Sequence, residues 1–395
     1  MGNAGTVTDL GKAYRIALPT QAPVAYNGLV SNILQVEFIM SQINRRSLLQ
    51  SASVGAIAAV LSADGSAQTK VDPYASAVRI DGEPAGIAKD SFTIVVLPDT
   101  QIYSESYPEQ FLAQTRWIAD NKLDRNIACV LHLGDVTNRN TAAEWDNAVN
   151  AMKQLDDVVP YFMVPGNHDY SQGGACKDRN CGLSAAFPVD KFKGRQSFGG
   201  VYDREPDRSE NSFHLFTAGG RDFLSLCLEF GPRKDVVRWA NEVIGAHHAR
   251  AVILSTHAFT YFDDSRYDWE RLGTTQHWNP HAYGVAKSTD DDVTDGEELW
   301  NGLVAQHENV ILTLNGHVLG DGLGRMVSET PSGRHVHQML VNFQMLPNGG
   351  DGWLRLLEFH QDGKTVDVCD YSPTLDQRNE SPQNKFQISL SEIKA

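Results

Sequence analysis

Residues 163–170 read Met163-Val164-Pro165-Gly166-Asn167-His168-Asp169-Tyr170. The apolar run 161–164 has strand character and stops at Pro165-Gly166, and three polar side chains follow without a gap. Open α/β sheets hold their ligands at such strand ends. Asn offers a neutral oxygen to a cation, His passes protons, and a carboxylate can fix the ring of a nearby His. Asn, Asp and Gly are also ordinary turn residues, so the reading depends on whether other turns share the pattern.

Four do. The run 92–97 leads into Pro98-Asp99-Thr100-Gln101, and 127–133 into Gly134-Asp135-Val136-Thr137-Asn138. The run 251–255 leads into Thr256-His257, and 310–314 into Asn315-Gly316-His317. Helical spacing fills the gaps: Phe111, Leu112, Trp117 and Ile118 mark residues 107–121, and residues 141–155 open on Thr141 as an N-cap with Glu144 three positions on. This β-α-β-α-β order predicts a layered α/β fold with a parallel stretch of sheet. Residues 171–210 read as a loop rich in glycine and charge. Residues 212–216 and 223–230 predict a hairpin through Ala218-Gly219-Gly220, followed by helices over 236–244 and 297–307. Residues 336–343, 353–359 and 365–371 predict three strands with turns between, read as a second, partly antiparallel sheet. No internal repeat or linker interrupts 92–390, so the whole stretch is expected to be one domain.

Two Asp, one Asn and two His form an oxygen and nitrogen donor set that suits zinc, manganese or iron better than calcium. In this order the blocks resemble the calcineurin-like metallophosphoesterases: Asp-x-(His or Gln), Gly-Asp-x-x-(Asp or Asn), Gly-Asn-His-(Asp or Glu), His, and Gly-His. The resemblance covers about residues 93–317 and implies a four-layer α/β/β/α sandwich with two mixed sheets, holding two di- or trivalent transition-metal ions (Mn, Fe or Zn). It implies that Asp135 bridges the metals, that Asp99 holds the first, and that Asn167, His257 and His317 complete the second. His168 would be the proton donor or transition-state contact, oriented by Asp169. Two positions depart from the pattern. Gln101 stands where many members have His, and Leu319 stands where many have the second His of Gly-His-x-His. Both belong to the first site, which keeps Gln101 as a weak oxygen ligand or draws on a residue such as Asp321. Where the distantly related purple acid phosphatases have a Tyr ligand, Asn138 stands here.

Two metals on a phosphoester activate a water and stabilise in-line displacement. The expected function is hydrolysis of a small phosphomono- or phosphodiester. The competing reading is a catalytically weak metal- or phosphate-binding protein with a depleted first site.

Composition bounds the rest. The chain has 395 residues, 41% hydrophobic, with a net charge of −15. It lacks the basic excess of a nucleic-acid binder. Residues 41–67 carry Arg45-Arg46, a short apolar run and a small-residue end, the pattern of a secretory signal. The paired arginines resemble a twin-arginine export signal, and the apolar run is too short to span a bilayer. Residues 1–67 are therefore read as leader and signal, 68–90 as an extended segment and 91–395 as the metallophosphoesterase domain, exported to the periplasm or beyond. Cys176 and Cys181 are spaced to close a small disulfide in an oxidising compartment, whereas Cys129, Cys227 and Cys369 lie in apolar runs and read as core. His132 reads equally as support for the metal turn or as a buried, hydrogen-bonded core residue. The aromatic segment 259–295 follows His257 directly and is expected to lie beside the metals as a substrate-shaping lid.

Overall fold

A computed structural model describes residues 74–392. The proposed leader and export signal lie outside the described residues. Two sheets stack face to face. The first contains β1 (Arg79–Asp81), β2 (Phe92–Leu97), β3 (Ile127–His132), β4 (Tyr161–Met163), β12 (Leu354–Phe359), β13 (Thr365–Ser372), β14 (Gln377–Asn379) and β15 (Lys385–Ser389). Its order is β1-β14-β13-β12-β2-β3-β4, with β15 also on β13. The second contains β5 (Phe198–Val201), β6 (Ser212–Ala218), β7 (Arg221–Cys227), β8 (Ala251–Ser255), β9 (Val310–Asn315), β10 (Leu323–Glu329) and β11 (His335–Val341), in the order β10-β11-β9-β8-β7-β6-β5. Both are mixed: β2, β3 and β4 run parallel, as do β7, β8, β9 and β11, with antiparallel strands outside them.

Strand periodicity explains the layering. Alternate side chains of a strand point to opposite faces. Ile94 and Val96 of β2 and Cys129 and Leu131 of β3 point inward and pack with Phe223, Ile253, Leu312 and Leu314 of the other sheet. Val95, Leu97 and Val130 point outward, onto Phe111 and Ile118 of the helix Pro108–Asp120 and Ala148 and Met152 of the helix Ala142–Met152. On the far side, Leu224, Leu226, Val252 and Leu254 meet Val236, Trp239 and Ala240 of the helix Lys234–Ala246. Central strands covered on both faces read as continuous apolar runs, and β2, β8 and β9 are buried along their whole length. The α/β/β/α sandwich is thus the observed fold. Thr141 caps its helix in a full capping box with Glu144, as the spacing predicts.

One expectation fails. The three C-terminal runs do not build the second sheet together. Only β11 belongs to it, while β12 and β13 return to the first sheet, where β12 lies antiparallel against β2. Sequence periodicity states that a run is a strand, not which edge it joins, and β2 had an open edge. The helix expected over 297–307 is also split, into Gly296–Gly302 and a 3-10 turn at Val304–Gln306. The loop 171–210 holds two short helices, Leu183–Ala186 and Val189–Phe192, and strand β5.

Candidate metal centre

The five strand ends of the motif converge. β2, β3 and β4 deliver Asp99, Asp135 and Asn167 from one sheet, and β8 and β9 deliver His257 and His317 from the other. One donor atom each from Asp135, His257 and His317 lies within 4.8 Å of the others. The backbone N–H of His317 donates to both oxygens of Asp99 at 3.1 Å, tying the two sheets at this edge. The backbone N–H of His168 donates to Asp135 Oδ1 at 2.8 Å.

The turns are shaped to bring these groups together. Asp135 has φ +46° and His317 φ +75°, left-handed conformations that a non-glycine residue holds at a cost of about 1–3 kcal/mol. Two glycines permit the approach. A Cβ on Gly166 would stand 2.1 Å from Asp135 Oδ1, and one on Gly316 would stand 2.0 Å from Asp99 Oδ1.

Each histidine is oriented through the nitrogen that faces away from its neighbours. His257 Nδ1 donates to the carbonyl of Leu133 at 2.7 Å, which leaves Nε2 as the donor to a cation. His317 Nε2 donates to the carbonyl of Trp278 at 2.8 Å, which leaves Nδ1. Phe230, Tyr267 and Tyr283 ring the imidazole of His317, with centroids 5.3, 6.1 and 6.0 Å away. The segment 259–295 therefore does lie beside the centre. It is a packed wall rather than an open loop, with Tyr261, Tyr267 and Val285 buried in it.

The residues fit a cation. Asn167 Oδ1, His257 Nε2 and Gln101 Oε1 are buried without a hydrogen-bond partner. An orphaned buried polar atom costs about 1–3 kcal/mol, and these atoms sit on three of the five motif turns, as donors kept for a cation would. His257 Nε2 approaches Asp135 Oδ1 to 3.2 Å, without hydrogen-bond geometry.

Charge tells the same story. Burial disfavours a charged His257 ring, but the carboxylates of Asp135 and Asp99 overcome it and hold its pKa up at about 9. Burial likewise opposes the Asp135 carboxylate, yet the neighbouring imidazole of His257 draws it below the usual range. Asp99 is pushed up, by burial first, with His257 opposing and Asp135 adding. His317 is pushed down to about 3 by burial and by the charge on His257. Without a cation, a proton on His257 balances the carboxylates.

Asp169 sits differently from expectation. Its carboxylate does not hold the ring of His168. Oδ1 accepts from Thr137 N and Thr137 Oγ1, both at 2.8 Å, and Oδ2 accepts from Val136 N at 3.0 Å and Gly166 N at 2.8 Å. A carboxylate has about four lone-pair sites, and all are taken. Asp169 thus ties the turn carrying Asp135 to the turn carrying Asn167. The His168 ring is held by the carbonyl of Asn138, 2.8 Å from Nδ1. His132 is buried; Gly134 N donates to its Nδ1 and its Nε2 meets Thr100 Oγ1 at 3.0 Å, so it braces the first two metal turns. Asp321 accepts from Leu323 N at 3.1 Å and is outside the close donor group. Cys176 and Cys181 are free thiols, Cys176 buried in the aromatic cluster of the insertion, so the expected disulfide is not formed.

Sequence reasoning missed Asn342. Its Nδ2 donates to Asp99 Oδ2 at 3.0 Å and its Oδ1 accepts from Gln344 N at 2.9 Å. The signal was present: β11 is a sixth apolar run ending in a polar side chain at the same edge, but the run was read through to residue 343.

A family model described as calcineurin-like phosphoesterase matches residues 92–321. The chain is 32% identical over 316 residues to the uncharacterized protein YvnB of Bacillus subtilis, a match spanning 77% of this chain and 22% of that protein's length. Among solved structures it is similar to a dimetal phosphatase from Danio rerio, at 13% identity over 76% of this chain and 99% of that one, with a TM-score of 0.47. It is also similar to a purple acid phosphatase from yellow lupin, at 14% identity over 78% and 55% of the two chains, with a TM-score of 0.43.

Proposed function

Because the chain belongs to the calcineurin-like phosphoesterase family, we propose that it hydrolyses a small phosphomono- or phosphodiester where Asp99, Asp135, Asn167, His257 and His317 meet. The observation that carries this reading is the set of buried donor atoms without partners at that point. Cations bound there supply charge to the phosphate and acidity to a water.

The protein's own groups do the rest. In this reading Asp135 would be shared by two cations, the first held with Asp99 and Gln101 and the second with Asn167, His257 and His317. His168 is fixed twice, by its backbone N–H on Asp135 and by its Nδ1 on Asn138. That leaves Nε2 to hand a proton to the departing oxygen or to steady charge on the phosphate. Tyr267, Trp278 and Tyr283 wall off the His317 side, which keeps water out and limits the leaving group that fits. The export reading of residues 41–67 places this activity outside the cytoplasm.

The test is turnover of an aryl phosphomonoester and an aryl phosphodiester by the full chain reloaded with manganese, iron or zinc. Turnover lost to a chelator, restored by metal and abolished in His257→Ala supports the reading. The tie of Asp99 to His317 N and Asn342 favours a second reading, a metal-binding protein of little catalytic power. One tightly held metal with no turnover on either ester would favour it.

A further inference from the structure

The two halves of the donor set differ in chemical kind. On the His257 side stand two imidazole nitrogens, the Asn167 amide oxygen and the Asp135 carboxylate. On the Asp99 side, Gln101 and Leu319 stand at the positions where the family pattern implies histidines. What stands there instead is oxygen. Gln101 is 5% exposed, and its Oε1 has no partner. A second amide oxygen, Gln344 Oε1, is also buried without a partner. Asn342 grips Asp99 through Nδ2 and the Gln344 backbone through Oδ1. The loop that follows packs on the helix Gln101–Ser106 closely enough that a Cβ on Gly349 would stand 2.4 Å from Ile102 Cγ2. Gln101 and Gln344 are thus carried by two segments that pack together beside Asp99.

We propose that the Asp99 side is an all-oxygen site for a hard divalent cation, magnesium or manganese. The ligands are Asp99, Asp135 and Gln101, with Gln344 as a further oxygen. The centre is then a mixed one, with a borderline transition metal held by His257 and His317 beside a hard cation. Carboxylate and carbonyl oxygens suit magnesium and manganese, while imidazole suits zinc and iron. The inference rests on reading this edge as a two-metal centre, but not on its turning over any ester.

The experiment uses the metal-stripped full chain and reads binding, not activity. Zinc titration is expected to find a single tight equivalent, lost in His257→Ala and kept in Gln101→Ala. Manganese added to the one-zinc protein, followed by the paramagnetic resonance of free Mn2+, is expected to fill one further site. Gln101→Ala should weaken that site at least about 10-fold, the lower bound for losing even a residue that only supports a ligand. Retained zinc shows that this variant is folded. Gln101→His restores a nitrogen and should raise tight zinc binding to a second equivalent. Two equally tight zinc ions in the unaltered chain would overturn the proposal, as would manganese binding unmoved by Gln101→Ala. The expected partition without hydrolysis would sink the proposed function and leave this inference standing.

Discussion

Asp169→Asn tests whether this residue ties two turns together or orients His168. The substitution keeps shape and removes one acceptor oxygen. The amide must set its NH2 against one of two donor pairs. Against Val136 N and Gly166 N it orphans two backbone groups. Against Thr137 it orphans one, because the Thr137 hydroxyl can turn and accept. The second arrangement costs less. One unpaired buried N–H costs about 1–3 kcal/mol, and the surviving bonds lose the roughly twofold strength that an ionised acceptor gives. An opposing effect exists: burial and the charge of Asp135 hold the Asp169 carboxyl up at about 6, and a neutral amide escapes that. The balance is a loss of about 1–3 kcal/mol from a total of roughly 5–15. The assay is urea unfolding of the metal-stripped protein, so that weakened metal binding cannot contribute. Thr137→Val alongside, and the double variant, should show coupling, because the two share a bond. A midpoint unchanged within about 0.5 kcal/mol, with turnover alone reduced, would refute the bracing role and restore Asp169 as the partner of His168.

Other outcomes follow from the same geometry. The proton that His257 holds below about pH 9 must leave before the ring can bind a cation. Metal affinity should therefore rise with pH through neutrality and level off near 9, and calorimetry in buffers of different ionisation enthalpy at pH 7 should find at least one proton released; none released would contradict the charge balance drawn here. Thr141→Ala removes the capping box of Ala142–Met152 and should cost about 1 kcal/mol of stability with metal affinity unchanged. Lysine at both Arg45 and Arg46 should leave the full chain in the cytoplasm of a bacterial host, and export of that variant would count against the twin-arginine reading.

The sequence was most legible where the chain repeats one device. Five apolar runs ending in polar turns announced a sheet edge lined with donors, and Asp99, Asp135, Asn167, His257 and His317 all come to it. Partners were less legible than ligands. The carbonyls of Leu133, Trp278 and Asn138 that fix the three imidazoles carry no side-chain signature, since every residue has a carbonyl. The role of Asp169 was misread because adjacency to His168 suggested a contact, whereas a 3-10 turn at Asn167–Asp169 sends the two side chains to different neighbours. Strand membership was legible and strand neighbours were not. An apolar run marks β12 as a strand, which is buried on both faces, but the edge it joins is settled by competition among whole sheets.

The placement of β12 has a bearing on how the protein is made. Residues Phe92–Val96 pair on one side with residues translated soon after them, and on the other with Arg355–Phe359, more than 250 positions later. Contacts so distant along the chain are slow to form. A nascent polypeptide still on the ribosome therefore carries β2 with one flank bare, an invitation to aggregate until Leu354–Phe359 emerges. Truncation before Leu354 should thus be tolerated far less well than the distance from the donor residues suggests.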